Sequence, residues 1–407
     1  MNKPYKKAFL DGIYAYTNFE KRRFAKYVPK NYNLSGIRQL LSHLGDPHKK
    51  LKLIHIAGTK GKGSTAFFLF SILRNNNCSV GIYTSPHLID ERERIRVNDT
   101  FISWKELYHS FEKIEAIIKK FSITTTFFDI MTAICFNYFK SKNIDYGVIE
   151  TGLGGRLDST NVLSPIACII SSISYDHMDK LGYTIEAIAS EKAGIIKKNT
   201  PVFTGNTGSA ALRIIKEKCK AMHAPLYTIL PGTQRAYWMT FSRVLPAYQE
   251  MNLLLASACA RGLQFTIDRE KLYKSVKNGF ISGRFQKIHN FILDAAHNKD
   301  SFEKLAHSLR HIKKKYFIVF FLPDKDIEAC IQAIPKESGI CYFPVRSSYI
   351  TFNRNEIFTR ITSVRQDAVM VSNYSTFMRS IYNKKTSFIV CGSFYIVSYF
   401  LKILKRL

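Results

Sequence analysis

The stretch His55–Leu69 reads HIAGTKGKGSTAFFL. An apolar run enters a glycine- and lysine-rich loop and leaves it as a helical pattern. That is the setting of a phosphate-binding loop, yet the usual G-x-x-x-x-G-K-[ST] spacing is missed. Gly61-Lys62 is followed by Gly63 before Ser64, and the position five before Gly61 is Ile56 rather than Gly. The physical logic survives the mismatch. Glycines let the backbone approach an anion, free N–H groups and the dipole at the helix start favour negative charge, and a lysine adds a point charge. A plain glycine- and lysine-rich surface turn is the alternative reading.

Outward from the loop, short apolar runs alternate with longer helical patterns, which predicts an α/β fold with a mostly parallel sheet. Leu53–Ala57, Val80–Tyr83, Tyr146–Ile149 and Ile166–Ser171 read as strands. Ser64–Asn75, Asp129–Lys140, Ile185–Ala193 and Ala210–Met222 read as helices. Ser103-Trp104-Lys105-Glu106 has the pattern of a capping box, and Leu107, Phe111, Ile114 and Ile118 follow it at helical spacing. The pattern restarts near 285, after turn-prone Asn278-Gly279 and Ser282-Gly283. Strands Phe291–Leu293 and Tyr316–Phe321 and helices to about His311 and near Ile327–Ile334 follow. A domain boundary is expected at about 285, leaving a second unit of about 120 residues, enough for its own core.

The chain of 407 residues carries 60 Lys and Arg against 31 Asp and Glu, a net charge of +29. The basic residues are spread along the chain, and runs such as Lys313-Lys314-Lys315 are short. Net charge speaks to solubility and generic attraction rather than to a site, so no nucleic-acid partner is expected. The eight cysteines show no C-x-x-C spacing, which points to a reducing compartment and away from disulfides or a cysteine-ligated zinc. The start, MNKPYKKAFLDG, lacks the apolar stretch of a secretory signal. The apolar tail Ser387–Leu401 is too short to span a membrane and reads as a strand followed by a helix. A cytoplasmic protein with no membrane partner is expected.

Three polar residues stand at or after the ends of apolar strands: Ser85 in YTSPH and His177 in SYDHM follow one, and Glu150 in IETGLGGR sits where one ends in a glycine turn. In parallel sheets ligand groups gather at the carboxyl ends of strands. A hydroxyl, a carboxylate and an imidazole there have the chemistry to hold Mg²⁺ beside phosphates. Taken singly, Ser85 also reads as a turn cap, Glu150 as a solvated carboxylate and His177 as a structural imidazole.

Together these segments resemble one family, the folylpolyglutamate synthases and dihydrofolate synthases of the Mur ligase superfamily. The resemblance is carried by HIAGTKGKGSTA (55–66), GIYTSPHL (81–88), ERIRVN (93–98), IETGLGGRLDSTN (149–161), DHMDKLGYTIEAIASEKAGIIK (176–197), GRFQ (283–286), LDAAHN (293–298), DKDI (324–327) and CGSFY (391–395), in the family's order and spacing. It implies a P-loop Mur-ligase-type ATP-binding domain with a folate site over 1–285 and a smaller Rossmann-like α/β domain over 286–407. Its loop is of the G-T-x-G-K-G-S kind, with Lys60 at the x place, where relatives often have Asn.

The activity implied is ATP-dependent addition of L-glutamate to the carboxylate of a folate, or of dihydropteroate, through an acyl phosphate. The alternative is another acid–amino-acid ligase of the superfamily. The cell-wall precursor ligases are disfavoured, because they carry a further N-terminal domain and only residues 1–52 precede the first strand of the loop. By the resemblance Gly58, Thr59, Gly61, Lys62, Gly63, Ser64, Asn252, Arg284 and Asp294 bind ATP. Ser85, Glu150, His177 and a carbamylated Lys192 hold two Mg²⁺. Lys62, Lys192, Asp294, His297 and Ser393 serve catalysis, and Thr126, Phe128 and Asp129 line the substrate site. A monomer is expected, its two domains closing on ATP.

The chain departs from the family at three places. The family's H-Q-x-x-N segment is Tyr248-Gln249-Glu250-Met251-Asn252 here, preceded by Leu245-Pro246-Ala247 where a Gly is usual. Asp129 stands where relatives tend to have Glu. The N-terminal segment that marks dihydropteroate binding is replaced by Tyr16-Thr17-Asn18-Phe19-Glu20-Lys21-Arg22. The choice among dihydropteroate, reduced folates or both therefore stays open.

Overall fold

Leu53–Ala57 is buried at every residue, the signature of a strand covered on both faces of a parallel sheet. A computed structural model places this strand, β1, near the middle of an eight-stranded sheet. The structure describes residues 3–18, 33–205, 207–230, 232, 235–242, 244–278, 282–345, 353–382 and 385–404. Phe19 to Arg22 of the unusual N-terminal segment, and Gly279 of the turn-prone pair, lie outside these residues.

The chain divides into two units. Met1–Trp238 with Gln249–Asn278 forms the first, and Met239–Tyr248 with Gly279–Leu407 the second. The first holds β1, β2 (Val80–Tyr83), β3 (Ile95–Val97), β4 (Thr100–Phe101), β5 (Tyr146–Glu150), β6 (Ala167–Ile170), β7 (Val202–Thr204) and β8 (Leu226–Thr228). Their order is β4-β3-β2-β5-β1-β6-β7-β8. Every pairing is parallel except β2–β3 and β3–β4.

The helices form where local chemistry starts them. Helix Trp104–Phe121 opens with the full capping box of Ser103 and Glu106. Leu107, Phe111, Ile114 and Ile118 are all buried, as their spacing predicts. Helix Phe127–Ser141 starts two residues earlier than the sequence reading, because Thr126 and Asp129 form a second capping box. That helix is hydrophobic nearly all round and sits at the centre of one core, with Phe127, Phe136 and Phe139 buried among Leu40, Leu53 and Ile149. Fully burying one such side chain stabilises by roughly 1.5–3 kcal/mol. A second core, with Ile170, Ile188, Ile195 and Val202, continues on the same face of the sheet over β6 and β7.

The second unit holds β9 (Gln286–Ile288), β10 (Phe291–Leu293), β11 (Lys315–Val319), β12 (Gly339–Tyr342), β13 (Val369–Met370) and β14 (Ser387–Cys391). The order is β13-β12-β11-β14-β10-β9, with only β9–β10 antiparallel. The tail is the expected strand and helix, β14 and Phe394–Leu404. Among the described residues no helix is long and apolar enough to cross a membrane.

Candidate functional site

The glycine loop joins β1 to the helix Lys62–Asn75. It is fastened to the segment after β6, where three serines were not singled out from the sequence. Thr59 N donates to Ser172 O at 2.7 Å. Ser171 and Ser172 hydroxyls both donate to Lys60 O, at 2.7 and 3.0 Å. Thr59 exchanges hydrogen bonds with Ser174 O and N at 3.1 Å each. The run Ser171-Ser172-Ile173-Ser174, polar and directly after a strand, was the available signal.

Gly61 has φ +83°, and a side chain there would drive a Cβ to 2.1 Å from Asn252 Oδ1. Glycine is required both for the left-handed turn and for that approach. Asn252 lies under the loop: it donates to Gln249 Oε1 at 2.7 Å, and Gln249 Nε2 donates to Ser64 Oγ at 3.2 Å. Gln249 stood within the segment that departs from the family pattern, but its own role could not be read from it.

Two lysines from distant parts of the chain meet on one atom. Lys62 Nζ donates to Gly58 O at 3.1 Å and Lys192 Nζ to the same oxygen at 2.9 Å. Among the described residues neither ammonium has an ion-pair partner. Lys192 is buried. Burial first, and the Lys62 charge second, bring its pKa down to about 7. Lys62, with a Lys192 that is only partly protonated near neutral pH, favours an anion here, while Asp176, Asp158 and Glu191 offset part of that charge through space.

Glu150, buried at the end of β5, faces the same helix start. A Cβ at Gly63 would lie 3.2 Å from Glu150 Oε2. The same carboxylate oxygen accepts Ser85 N at 3.2 Å, so the structure brings Ser85 and Glu150 together. His177 sits in a left-handed turn before Met178–Leu181. Desolvation lowers its pKa, Asp176 opposing the fall and Lys62, Lys180 and Lys192 adding to it. Its electrostatic neighbours thus include Lys62 of the loop and Lys192, the two lysines that meet on Gly58 O. A neutral imidazole is the form that binds a metal. Among the described residues no cluster of three or more His, Cys, Asp or Glu side chains is gathered for a metal ion.

The expected substrate residues surround the start of Phe127–Ser141. Phe127 N donates to Thr17 O at 2.9 Å, which docks the N-terminal segment there. Phe128 packs 5.9 Å from the Tyr83 ring. Both Asp129 oxygens are engaged within the fold. Oδ2 accepts Thr126 N and Oγ1, at 2.9 and 2.8 Å, and Oδ1 accepts Ser159 Oγ at 2.6 Å. Behind the loop His55 is fully buried, its Nε2 2.8 Å from Thr160 Oγ1. Burial first, then the Lys197 charge, push its pKa down to about 3.

In the second unit Asp294 ends β10 and is buried. Its Oδ2 accepts Tyr248 OH at 2.8 Å and Phe285 N at 2.9 Å; its Oδ1 accepts Ala296 N at 2.9 Å. Burial raises the Asp294 pKa, and Arg284 chiefly opposes it. The Arg284 guanidinium lies 5.1 Å over the Phe394 ring. His297 Nδ1 is 2.8 Å from Ala295 O. Ser393 Oγ accepts Ile396 N at 3.4 Å and so caps the last helix, while Asn298 caps Lys299–Ser308. Asp294, Arg284, His297 and Ser393 are thus collected at the carboxyl ends of the neighbouring parallel strands β10 and β14.

Residues 56–257 match the Mur ligase middle domain. The chain is 34% identical over 344 residues to a dihydrofolate synthase/folylpolyglutamate synthase of Bacillus subtilis, spanning 76% of this chain and 80% of that one. It is 30% identical over 415 residues to a probable dihydrofolate synthetase of Schizosaccharomyces pombe, covering 93% and 99%. A solved folylpolyglutamate synthase from Thermotoga maritima superimposes with a TM-score of 0.83 at 26% identity, over 100% of this chain and 98% of that one.

Proposed function

The chain belongs to the dihydrofolate synthase/folylpolyglutamate synthase family, a branch of the Mur ligases, and on that premise we propose how its residues divide the work. It is an ATP-dependent ligase that joins glutamate to a folate. A carboxylate is a poor electrophile, so the γ-phosphoryl group of ATP is first transferred to it. The amine of L-glutamate then attacks the acyl phosphate, an amide forms and phosphate leaves. Such transfer needs positioning and charge neutralisation more than covalent help from the protein.

The observation that carries this reading is the pair of ammonium groups on Gly58 O, at 3.1 and 2.9 Å. The backbone of Gly58–Ser64 cradles the phosphates, and Lys62 turns from the carbonyl to the transferring group. Asn252 supports the loop from below and contacts the nucleotide. Glu150, Ser85 and His177 offer the hard oxygen and neutral nitrogen donors that suit Mg²⁺. These residues would hold it, and bound there it supplies charge neutralisation on the phosphates.

Lys192 completes the donor set once carbamylated. Its neutral amine adds to CO₂, a C–N bond forms and a proton leaves to solvent, so a cation becomes an anionic oxygen ligand. A lysine pKa near 7 leaves a large fraction of the amine neutral at ordinary pH. In the second unit Asp294 and Arg284 serve ATP, and His297 and Ser393 serve the reaction at the strand ends. Thr126, Phe128 and Asp129 frame the folate side, Asp129 acting through the helix start it caps. One chain supplies every group named, so a monomer suffices. All eight cysteines are free thiols, which supports a cytoplasmic setting.

The test is glutamate-dependent phosphate release from Mg²⁺-ATP, comparing tetrahydrofolate and dihydropteroate as acceptors. Release with tetrahydrofolate is expected. Release with dihydropteroate as well makes the enzyme bifunctional despite its N-terminal segment. Silence with both overturns the substrate assignment.

A further inference from the structure

The backbone donors to Asp294, Phe285 N and Ala296 N, lie nine and two residues from it in sequence. Tyr248 is 46 residues away and reaches the same carboxylate. It is the last residue of Met239–Tyr248, the mid-chain segment that belongs to the second unit. Its ring stands edge-on to Phe285, with centroids 6.4 Å apart and planes at 80°, which sets the direction of the hydroxyl. This is also the position at which the chain carries Tyr in place of the family's His.

We infer that Tyr248 is a positioning residue for the ligase reaction: its hydroxyl, always a donor, clamps Asp294 Oδ2 and thereby fixes how the carboxylate presents Oδ1. The inference rests on Asp294 serving ATP, as proposed above. A carboxylate oxygen has two acceptor directions. Oδ2 uses both, on Tyr248 and Phe285, whereas among the described residues Oδ1 accepts Ala296 N alone and keeps one direction open. The Tyr248 residue is half-buried. Desolvation of its hydroxyl, and then the facing Asp294 charge, hold its pKa well above the ordinary phenol range. It therefore stays protonated and donating at any working pH.

Among the described residues the titratable and charged groups facing Asp294 are Tyr248, Arg284 from the turn before β9, and Cys391 from β14. Burial pushes the Cys391 thiol up, so it stays neutral. Arg284 and Tyr248 are then the side chains that oppose the rise of the Asp294 pKa on burial. Removing the phenol oxygen takes away one of the two and raises the Asp294 pKa.

The experiment is the same phosphate-release assay on the full chain, run from about pH 5.5 to about pH 9 for wild type, Tyr248→Phe, Tyr248→His and Asp294→Asn. Tyr248→Phe is expected to lower kcat about tenfold, to leave KM for ATP nearly unchanged, and to move the acid limb of kcat up by about one pH unit. Tyr248→His, which restores a donor, is expected to recover most of kcat. Tyr248→Phe within about twofold of wild type with an unmoved limb overturns the inference. So does a loss that is equal at every pH and is not rescued by His, since a merely structural ring would give that result. If Tyr248→Phe fails to fold, Tyr248→His decides: near-wild-type kcat supports the clamp, and a loss as large as that of Asp294→Asn sinks it. An Asp294→Asn enzyme at full activity instead refutes the role of Asp294, and the inference with it.

Discussion

At the carboxyl end of β1 the first unit points two ammonium groups at one carbonyl oxygen. At the carboxyl end of β10 the second unit points three donors at one carboxylate. Both places are strand ends of parallel sheets, yet their electrostatic balance is opposite. In the first, both ammonium groups bond to a neutral carbonyl, and the carboxylates Asp176, Asp158 and Glu191 act on Lys192 only through space. The second supplies its own donors to a buried anion, so it is pre-organised before any ligand arrives. On the reading proposed above, the first kind of site serves binding and the second geometry.

The largest expected effect breaks the two apart. Lys62→Ala is expected to lower kcat/KM for ATP on the order of 10³-fold, and Asp294→Ala on the order of 10²-fold, both with unchanged circular dichroism. Normal turnover in Lys62→Ala would remove the loop from the site, and normal turnover in Asp294→Ala would reduce the β10 end to a structural turn.

A smaller effect concerns what lies behind the first site. The folded-state pKa of His55, about 3, lies below its unfolded value of 6.5. The unfolded chain therefore takes up the proton first as pH falls. Stability that is fully present above pH 6.5 is lost progressively towards pH 3. His55→Gln, which cannot titrate, is expected to lose about 3 kcal/mol less than wild type between pH 7 and about pH 4 in urea unfolding. Equal acid sensitivity in the two proteins would mean that His55 is not a neutral buried imidazole.

The smallest effect is local to the second site. Asn298→Ala removes the cap of Lys299–Ser308 and is expected to cost about 1 kcal/mol of stability with kcat preserved. A matching loss of kcat would show that the turn holding Asp294 and His297 depends on the helix start beyond it.

Local signals in the chain proved accurate where the chemistry is local. The capping box of Ser103 and Glu106 forms as its spacing predicts, and the strand Leu53–Ala57 lies where its apolar run places it. The second capping box was harder to read. Asp129 reads as a substrate carboxylate by resemblance, whereas its oxygens are occupied by Thr126 and Ser159. Its spacing from Thr126 already held the capping interpretation. The serine fasteners at 171–174 were visible only as a polar run.

By itself the sequence determined the α/β alternation, the glycine loop before its helix, and the strand-end placement of Ser85, Glu150 and Asp294, whereas His177 lies seven residues beyond β6, in the turn before Met178–Leu181. These follow from periodicity and from glycine's backbone freedom, which act over a few residues. Tertiary structure alone decided that Lys192 would share Gly58 O with Lys62 across 134 residues, and that Tyr248 would hold Asp294 across 46. Only the packing of helices and turns against the folded sheets brings such groups together. Burial in those sheets, not residue identity, moves a lysine pKa to about 7 and a histidine pKa to about 3, because a charge withdrawn from water costs several kcal/mol unless something nearby replaces the solvent.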